Sequence, residues 1–188
     1  MYSMIGLHSI KILSLLIKNY AQNVKKLLML LTEQNVKCAD KMSNQLVDIC
    51  VNLTDDIFSG KEKNIIDEAN KNNVTKMVLV GNDLDSSFKV SSLAKQFGFI
   101  ATAGYHPHNA KDSNEKSYDS LLSIFKDNHV KAVGECGLDF NRNFSTPEVQ
   151  NDVFLSHIDL AKETNLPLFI HERDAFHQMY DIIKDNIK

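Results

Sequence analysis

What the sequence lacks narrows it first. No stretch of the 188 residues approaches the roughly 18 uninterrupted apolar residues that a membrane-spanning helix needs, and the apolar run from Ile12 to Ile17 is too short for a secretory core. Cysteine is scarce. Cys38, Cys50 and Cys136 form no CxxC pair and no even-numbered framework, which argues against a disulfide scaffold and suits a reducing, cytoplasmic setting. An excess of positive charge is missing too. The net charge is -3, and residues 1–41 hold six Lys against Glu33 and Asp40, which leaves residues 42–188 with 15 of the 21 basic and 22 of the 24 acidic side chains. The bulk field of that region repels polyanions, so a nucleic-acid partner would have to be met by a local patch or a metal ion. What is present, 43% hydrophobic and 24% charged residues, is enough for one folded domain with a full core and excludes a disordered chain.

The chain divides near residue 41. Ile10, Leu13, Ile17, Tyr20, Val24, Leu27 and Leu31 recur at steps of three and four, which predicts a helix with a narrow apolar seam, interrupted by Lys11, Lys18, Lys25 and Lys26. Residues 1–41 read as an N-terminal extension dispensable for the fold, with Met42 as an alternative start. Docking on a membrane surface or a partner helix, and organelle targeting, are the alternatives. Targeting is weakened because the segment has no Arg. From Val47 onward short apolar runs alternate with amphipathic stretches. Strands are predicted at 47–53, 75–81, 99–104, 130–135 and 166–171, and helices near 60–72, 84–97, 115–128, 147–165 and 174–187. Ser145 and Glu148 have capping-box spacing before the fourth helix, and Pro147 falls in its first turn. Five repeated βα units imply a parallel sheet with helical crossovers.

In a parallel sheet, chemistry collects at the carboxyl ends of the strands. Those ends carry Asp48 and Asn52, then Gly81 and Asn82, then His106 and His108, then Glu135, then His171. Read singly, each has an ordinary structural explanation: an ion pair of Glu135 with Arg142 or Arg173, a core histidine at 171, solvated rings at 106 and 108, a solvated loop over Asp139, Asn141, Arg142 and Asn143. Read together, one hard oxygen ligand with one or more imidazoles describes a divalent metal site of the hydrolytic kind. Carboxylate and water favour Mg²⁺ or Mn²⁺, whereas added histidines pull toward Zn²⁺.

Four segments carry a more specific signal: DICVNLT at 48–54, TAGYHPH at 102–108, GECGLDFNRNFSTPE at 134–148 and LFIHERDA at 168–175. Over residues 47–188 the sequence resembles the TatD family of metal-dependent deoxyribonucleases. The resemblance implies an α/β fold of the TIM-barrel, metal-dependent hydrolase type, incomplete here at about five of eight βα units. It also implies a divalent metal, with Mg²⁺ first and Mn²⁺ or Zn²⁺ as alternatives, and hydrolysis of nucleic-acid phosphodiesters, DNA or RNA, from a 3′ end. It makes Glu135 and His171 metal ligands and places His106 near the scissile phosphate. Asn141 and Arg173 are added as candidates for phosphate contact. The chain departs from the HxH opening of many relatives, carrying Cys50 and Asn52 there, and stops at Lys188, so it reads as an incomplete copy whose edge strands would stay open. An amidohydrolase acting on a small cyclic amide, and a catalytically silent interaction piece, are the competing functions.

Overall fold

A computed structural model describes residues 45–186. The seam helix expected within residues 1–41 lies outside the described residues. Five strands, β1 (Leu46–Val51), β2 (Val74–Leu79), β3 (Ile100–Ala103), β4 (Val130–Asp139) and β5 (Leu168–Arg173), form one sheet in the order β1-β2-β3-β4-β5. Every neighbouring pair is parallel. The helices α1 (Glu62–Lys71), α2 (Leu84–Phe97), α3 (Glu115–Ile124), α4 (Pro147–Thr164) and α5 (Phe176–Asn186) supply the crossovers and follow the last strand. This is the incomplete barrel expected from the sequence, with β1 and β5 at the sheet edges among the described residues.

Local chemistry fixes the helix ends. Asp83 caps α2 and exchanges side-chain and backbone bonds with Ser86, and Gly98 in the left-handed region closes it. Asn114 and Ser117 do the same for the start of α3. The fourth helix starts differently from expectation. Thr146, not Ser145, is its N-cap, accepting the Val149 N–H, while Pro147 occupies the first turn. Ser145 is buried instead, accepting the Lys111 N–H at 3.0 Å and donating to the His108 carbonyl at 3.2 Å.

The core lies between the sheet and its helices. Met77 and Leu79 of β2, Ala101 and Ala103 of β3 and Val130 and Val133 of β4 pack with Val90 and Ala94 of α2, Leu121 of α3 and Leu160 of α4. A second cluster joins Cys136 and Leu138 of β4 to Phe154 and Ile158 of α4 and Met179 and Ile182 of α5. Each fully buried side chain of this size contributes about 1.5–3 kcal/mol before entropy is charged against it. Leu46, Val47 and Ile49 on β1 and Ile170 on β5 are exposed, as edge strands of an open sheet leave them.

The strand that matters most runs past its predicted end. β4 continues four residues beyond Glu135 to Asp139, and β5 continues two beyond His171. Between Val133↔Leu168 and Cys136↔Ile170, β4 advances three residues while β5 advances two, so β4 carries a one-residue bulge at Gly134–Glu135. Glycine makes the close pairing feasible: Gly134 (φ 138°) and Gly137 (φ 134°) sit where a Cβ would collide with the Phe169 and His171 carbonyl oxygens. The Glu135 N–H reaches the Gly81 carbonyl, 3.0 Å away, beyond the end of β2. We expect Gly137→Ala to lower the unfolding free energy by about 2–4 kcal/mol, because it combines a disfavoured φ with a backbone collision. Urea titration with an unchanged m-value reads this directly, and a midpoint within error of the parent would contradict the pairing described.

Candidate metal centre

Three elements aim side chains at one point on the carboxyl-terminal rim. β4 brings Glu135 and Asp139, β5 brings His171, and the turn after β3 brings His106 and His108 on either side of Pro107. Glu135 Oε1 lies 3.2 Å from His171 Nδ1, and His106 Nε2 lies 3.2 Å from that same nitrogen and 4.0 Å from Glu135 Oε1. These three residues form a group able to hold a metal ion. A cavity of about 300 Å³ opens beside them, lined by Cys50, Asn52, Asn82, His106, His108 and Glu135 among others. Glu135, His106 and His171, the residues singled out in the sequence, therefore come together. Asn141 and Arg173 do not join them. Asn141 is exposed and donates to Asp174 at 2.7 Å, and Arg173 ends β5 with an exposed side chain.

Two residues behind the cluster were not assigned a role by the sequence. Asp139 is no part of a solvated loop: it is the last residue of β4 and fully buried. Its Oδ1 accepts the N–H groups of Asn141 and Arg142, each at 3.0 Å, and its Oδ2 faces His108 Nε2 at 2.7 Å and His171 Nε2 at 3.3 Å. Gln150 of α4 clamps the strand end from behind, accepting the Asp139 N–H at 2.8 Å and donating to the carbonyls of Asp139 and Ser145. The signal that could have found Asp139 is its offset: an Asp followed by residues whose N–H groups fold back onto it ends a strand with an Asx turn. His157 of α4 is likewise fully buried, accepting the Tyr105 N–H at 2.9 Å and contacting the Val153 carbonyl at 2.7 Å, which fixes the backbone next to His106.

One backbone N–H fixes the first tautomer in the cluster. The His108 N–H can only donate, and it points at His106 Nδ1, 3.1 Å away. A neutral His106 must then carry its proton on Nε2 and donate it toward His171 Nδ1. His171 meets a carboxylate from each ring nitrogen, Glu135 at 3.2 Å from Nδ1 and Asp139 at 3.3 Å from Nε2, and the proton on His106 Nε2 favours the tautomer with Nδ1 bare. His106 is neutral at ordinary pH because burial, opposed by nearby Glu135, brings its pKa down to about 4. His171 is raised, first by its hydrogen bond to Glu135 and then, against burial, by Asp139. Burial disfavours charge on Asp139, but the Arg142 N–H, the His108 ring and the Asn141 N–H outweigh it and hold the carboxyl well below the usual carboxylate range.

The donor set fits a divalent cation. Ligands bound at 2.0–2.2 Å in adjacent positions sit roughly 3–3.5 Å apart, and Glu135 Oε1 and His171 Nδ1 are separated by 3.2 Å; the Nδ1 lone pair accepts from His106 Nε2 until a cation displaces that bond. His106 Nε2 has suitable spacing but carries a proton in this network, so it is a donor at the edge of the site.

A parallel βα sheet here gathers a carboxylate and imidazoles beside a cleft at its carboxyl-terminal rim, the end at which barrel-type sheets hold their ligands. Comparison with known proteins gives the family. Residues 47–188 match the family model "TatD related DNase", and the chain belongs to that family. It is 35% identical over 140 residues to the "3′-5′ ssDNA/RNA exonuclease TatD" of Shigella flexneri, covering 74% of this chain and 54% of that protein. It is 40% identical over 131 residues to the protein of the same name from Cronobacter sakazakii, covering 69% and 50%. Among solved structures, a TatD-family hydrolase from Entamoeba histolytica superposes with a TM-score of 0.70 at 25% identity, covering 77% of this chain and 55% of that one. A TatD homologue from Escherichia coli gives 0.69 at 25% identity, covering 75% and 56%. The chain spans about half the length of the curated relatives it matches.

The buried His157 generates a pH prediction. Burial brings its pKa down to about 4 from the ordinary 6.5. Between those values the unfolded chain binds a proton that the folded chain refuses, so stability falls as pH drops from about 6.5 to about 4. The loss attributable to this ring reaches up to about 3 kcal/mol, at 1.36 kcal/mol per pH unit. Thermal melts across that window should show a steep decline in the parent and a shallower one in His157→Gln; equal slopes would remove the assignment.

Proposed function

We propose that the chain supplies the cation-holding part of a nuclease that hydrolyses phosphodiester bonds, trimming single-stranded DNA or RNA from its 3′ end. The observation that carries this reading is the 3.2 Å approach of Glu135 Oε1 to His171 Nδ1 on the rim of a sheet that belongs to the TatD-related DNases. The activity named in the exonuclease relatives supports the substrate class.

Glu135 and His171 would hold the cation, with Mg²⁺ as the first ion to test and Mn²⁺ and Zn²⁺ beside it, since an imidazole ligand widens the choice. When bound, the cation would offset phosphodiester charge and acidify water at the site. The side chains do the rest. His106, with its proton on Nε2, is positioned to donate to a phosphate oxygen drawn in beside Glu135, and its low pKa keeps it neutral for the task. Pro107 and the His157 bond to Tyr105 hold that ring against the rim. Arg173, at the exposed end of β5, would contact phosphate groups further along the strand, with Asn141 as a weaker partner because Asp174 already engages it. Free cysteines at 50 and 136 suit a cytoplasmic setting.

With Mg²⁺ and a single-stranded oligonucleotide labelled at its 3′ end, early release of the labelled terminal mononucleotide is expected, abolished by a chelator. Glu135→Gln should reduce the rate at least ~100-fold, since even residues supporting a ligand are worth 10–100-fold. Release that persists undiminished in the chelator would overturn the reading.

A further inference from the structure

The arrangement around His171 carries a consequence for how the cation is captured. Three facts converge. First, Asp139 Oδ2 is the shared acceptor for two rings, His108 Nε2 at 2.7 Å and His171 Nε2 at 3.3 Å, while Oδ1 is occupied by two backbone N–H groups. Second, the carboxylate has no solvent exposure and its strand end is clamped by Gln150, so it cannot swing away from the rings. Third, a backbone N–H and this carboxylate terminate the ring network at opposite ends. The N–H only donates and the carboxylate only accepts, so both ends demand the same direction of bonding.

We propose that Asp139 is the positioning residue of this site: by taking the His171 proton on Nε2, it forces the lone pair of Nδ1 to face Glu135 and so sets the ring for a divalent cation. The proposal rests on the reading that Glu135 and His171 hold that cation. Glu135 alone would favour the opposite tautomer, because its Oε1 lies 3.2 Å from Nδ1 and would attract a proton there. Glu135 is partly exposed, whereas Asp139 has no solvent exposure and its strand end is clamped by Gln150, so the sealed acceptor decides. A ligating histidine whose second ring nitrogen is held by a carboxylate is both oriented and made more basic. His108 is tied to the same oxygen, and its ring stands 4.3 Å from that of His106, so one carboxylate orients the whole HPH turn relative to β5.

The test uses the full chain and reads tautomers before activity. In metal-free protein labelled with ¹⁵N-histidine, at about pH 8.5 where imidazoles are neutral, long-range ¹H–¹⁵N spectra should show His171 with its proton on Nε2. Asp139→Asn keeps the volume but turns an acceptor into a donor toward both rings, and His171 should then carry its proton on Nδ1. Calorimetric titration with Mn²⁺ should show affinity lower by about 10- to 100-fold in that variant. A wild-type His171 protonated on Nδ1 overturns the inference without recourse to any variant, so a misfolded Asp139→Asn does not shield it. Unchanged Mn²⁺ affinity in a folded Asp139→Asn also overturns it while leaving the nuclease reading intact. Failure of the parent to bind Mn²⁺, Mg²⁺ or Zn²⁺ overturns the nuclease reading, and the wild-type tautomer still decides the role of Asp139.

Discussion

The close pairing of β4 with β5 is the constraint on which the rest depends. A carboxylate and an imidazole on separate strands meet at ligand distance only if the two backbones approach without side chains between them. Gly134 and Gly137 provide that approach against the carbonyl groups of Phe169 and His171. The bulge at Gly134–Glu135 then shifts one residue out of register, so that Glu135 is delivered to the rim from inside a strand and not from its tip. The strand is left with enough length to carry a second carboxylate, Asp139, one layer deeper. Two acids on one strand thereby serve different ends. The shallower one is partly exposed and lines the cleft, and the deeper one is sealed and fully occupied by donors.

Much of this was legible in the sequence, for identifiable reasons. The alternation of short apolar runs with amphipathic stretches is a strong periodic signal, and it located all five strands and five helices within a few residues. The reading of strand ends brought out Glu135, His171 and His106, because parallel topology alone puts successive carboxyl ends on one rim. The misses have physical causes. GECGLD contains two glycines and a buried acid, which break the usual apolar pattern of a strand, so β4 was expected to stop at Glu135 when pairing with β5 carries it to Asp139. Ser145 has the spacing of a cap, but tertiary contacts with Lys111 and His108 claim its hydroxyl and Thr146 caps in its place. His157 lies on an amphipathic helix with no local mark of its role, since its partner Tyr105 is 52 residues away.

The charge distribution bears on how such a centre would meet a polyanion. The region from residue 42 onward is net acidic, so long-range attraction cannot supply affinity. The sequence contains two arginines only: Arg142 lies three residues past the end of β4 and Arg173 is the last residue of β5, the strands that carry the candidate ligands. Arg142 also gives its backbone N–H to Asp139, so the loop that displays its guanidinium is anchored to the buried carboxylate. A guanidinium fork recognises phosphate by geometry and short-range bonding, which would suit a surface whose average field is unfavourable.

The bonding order among the rings has a thermodynamic meaning of its own. In a hydrogen-bonded row with interchangeable ends, two opposite orientations coexist, and a ligand needing one of them must first freeze out the other. Here the row starts at an amide of the HPH turn and stops at a sealed carboxylate, so the reversed orientation is disfavoured even with Glu135 beside Nδ1. Most of the entropy of choosing is lost when the chain folds, so a ligand that needs this orientation would find it already set.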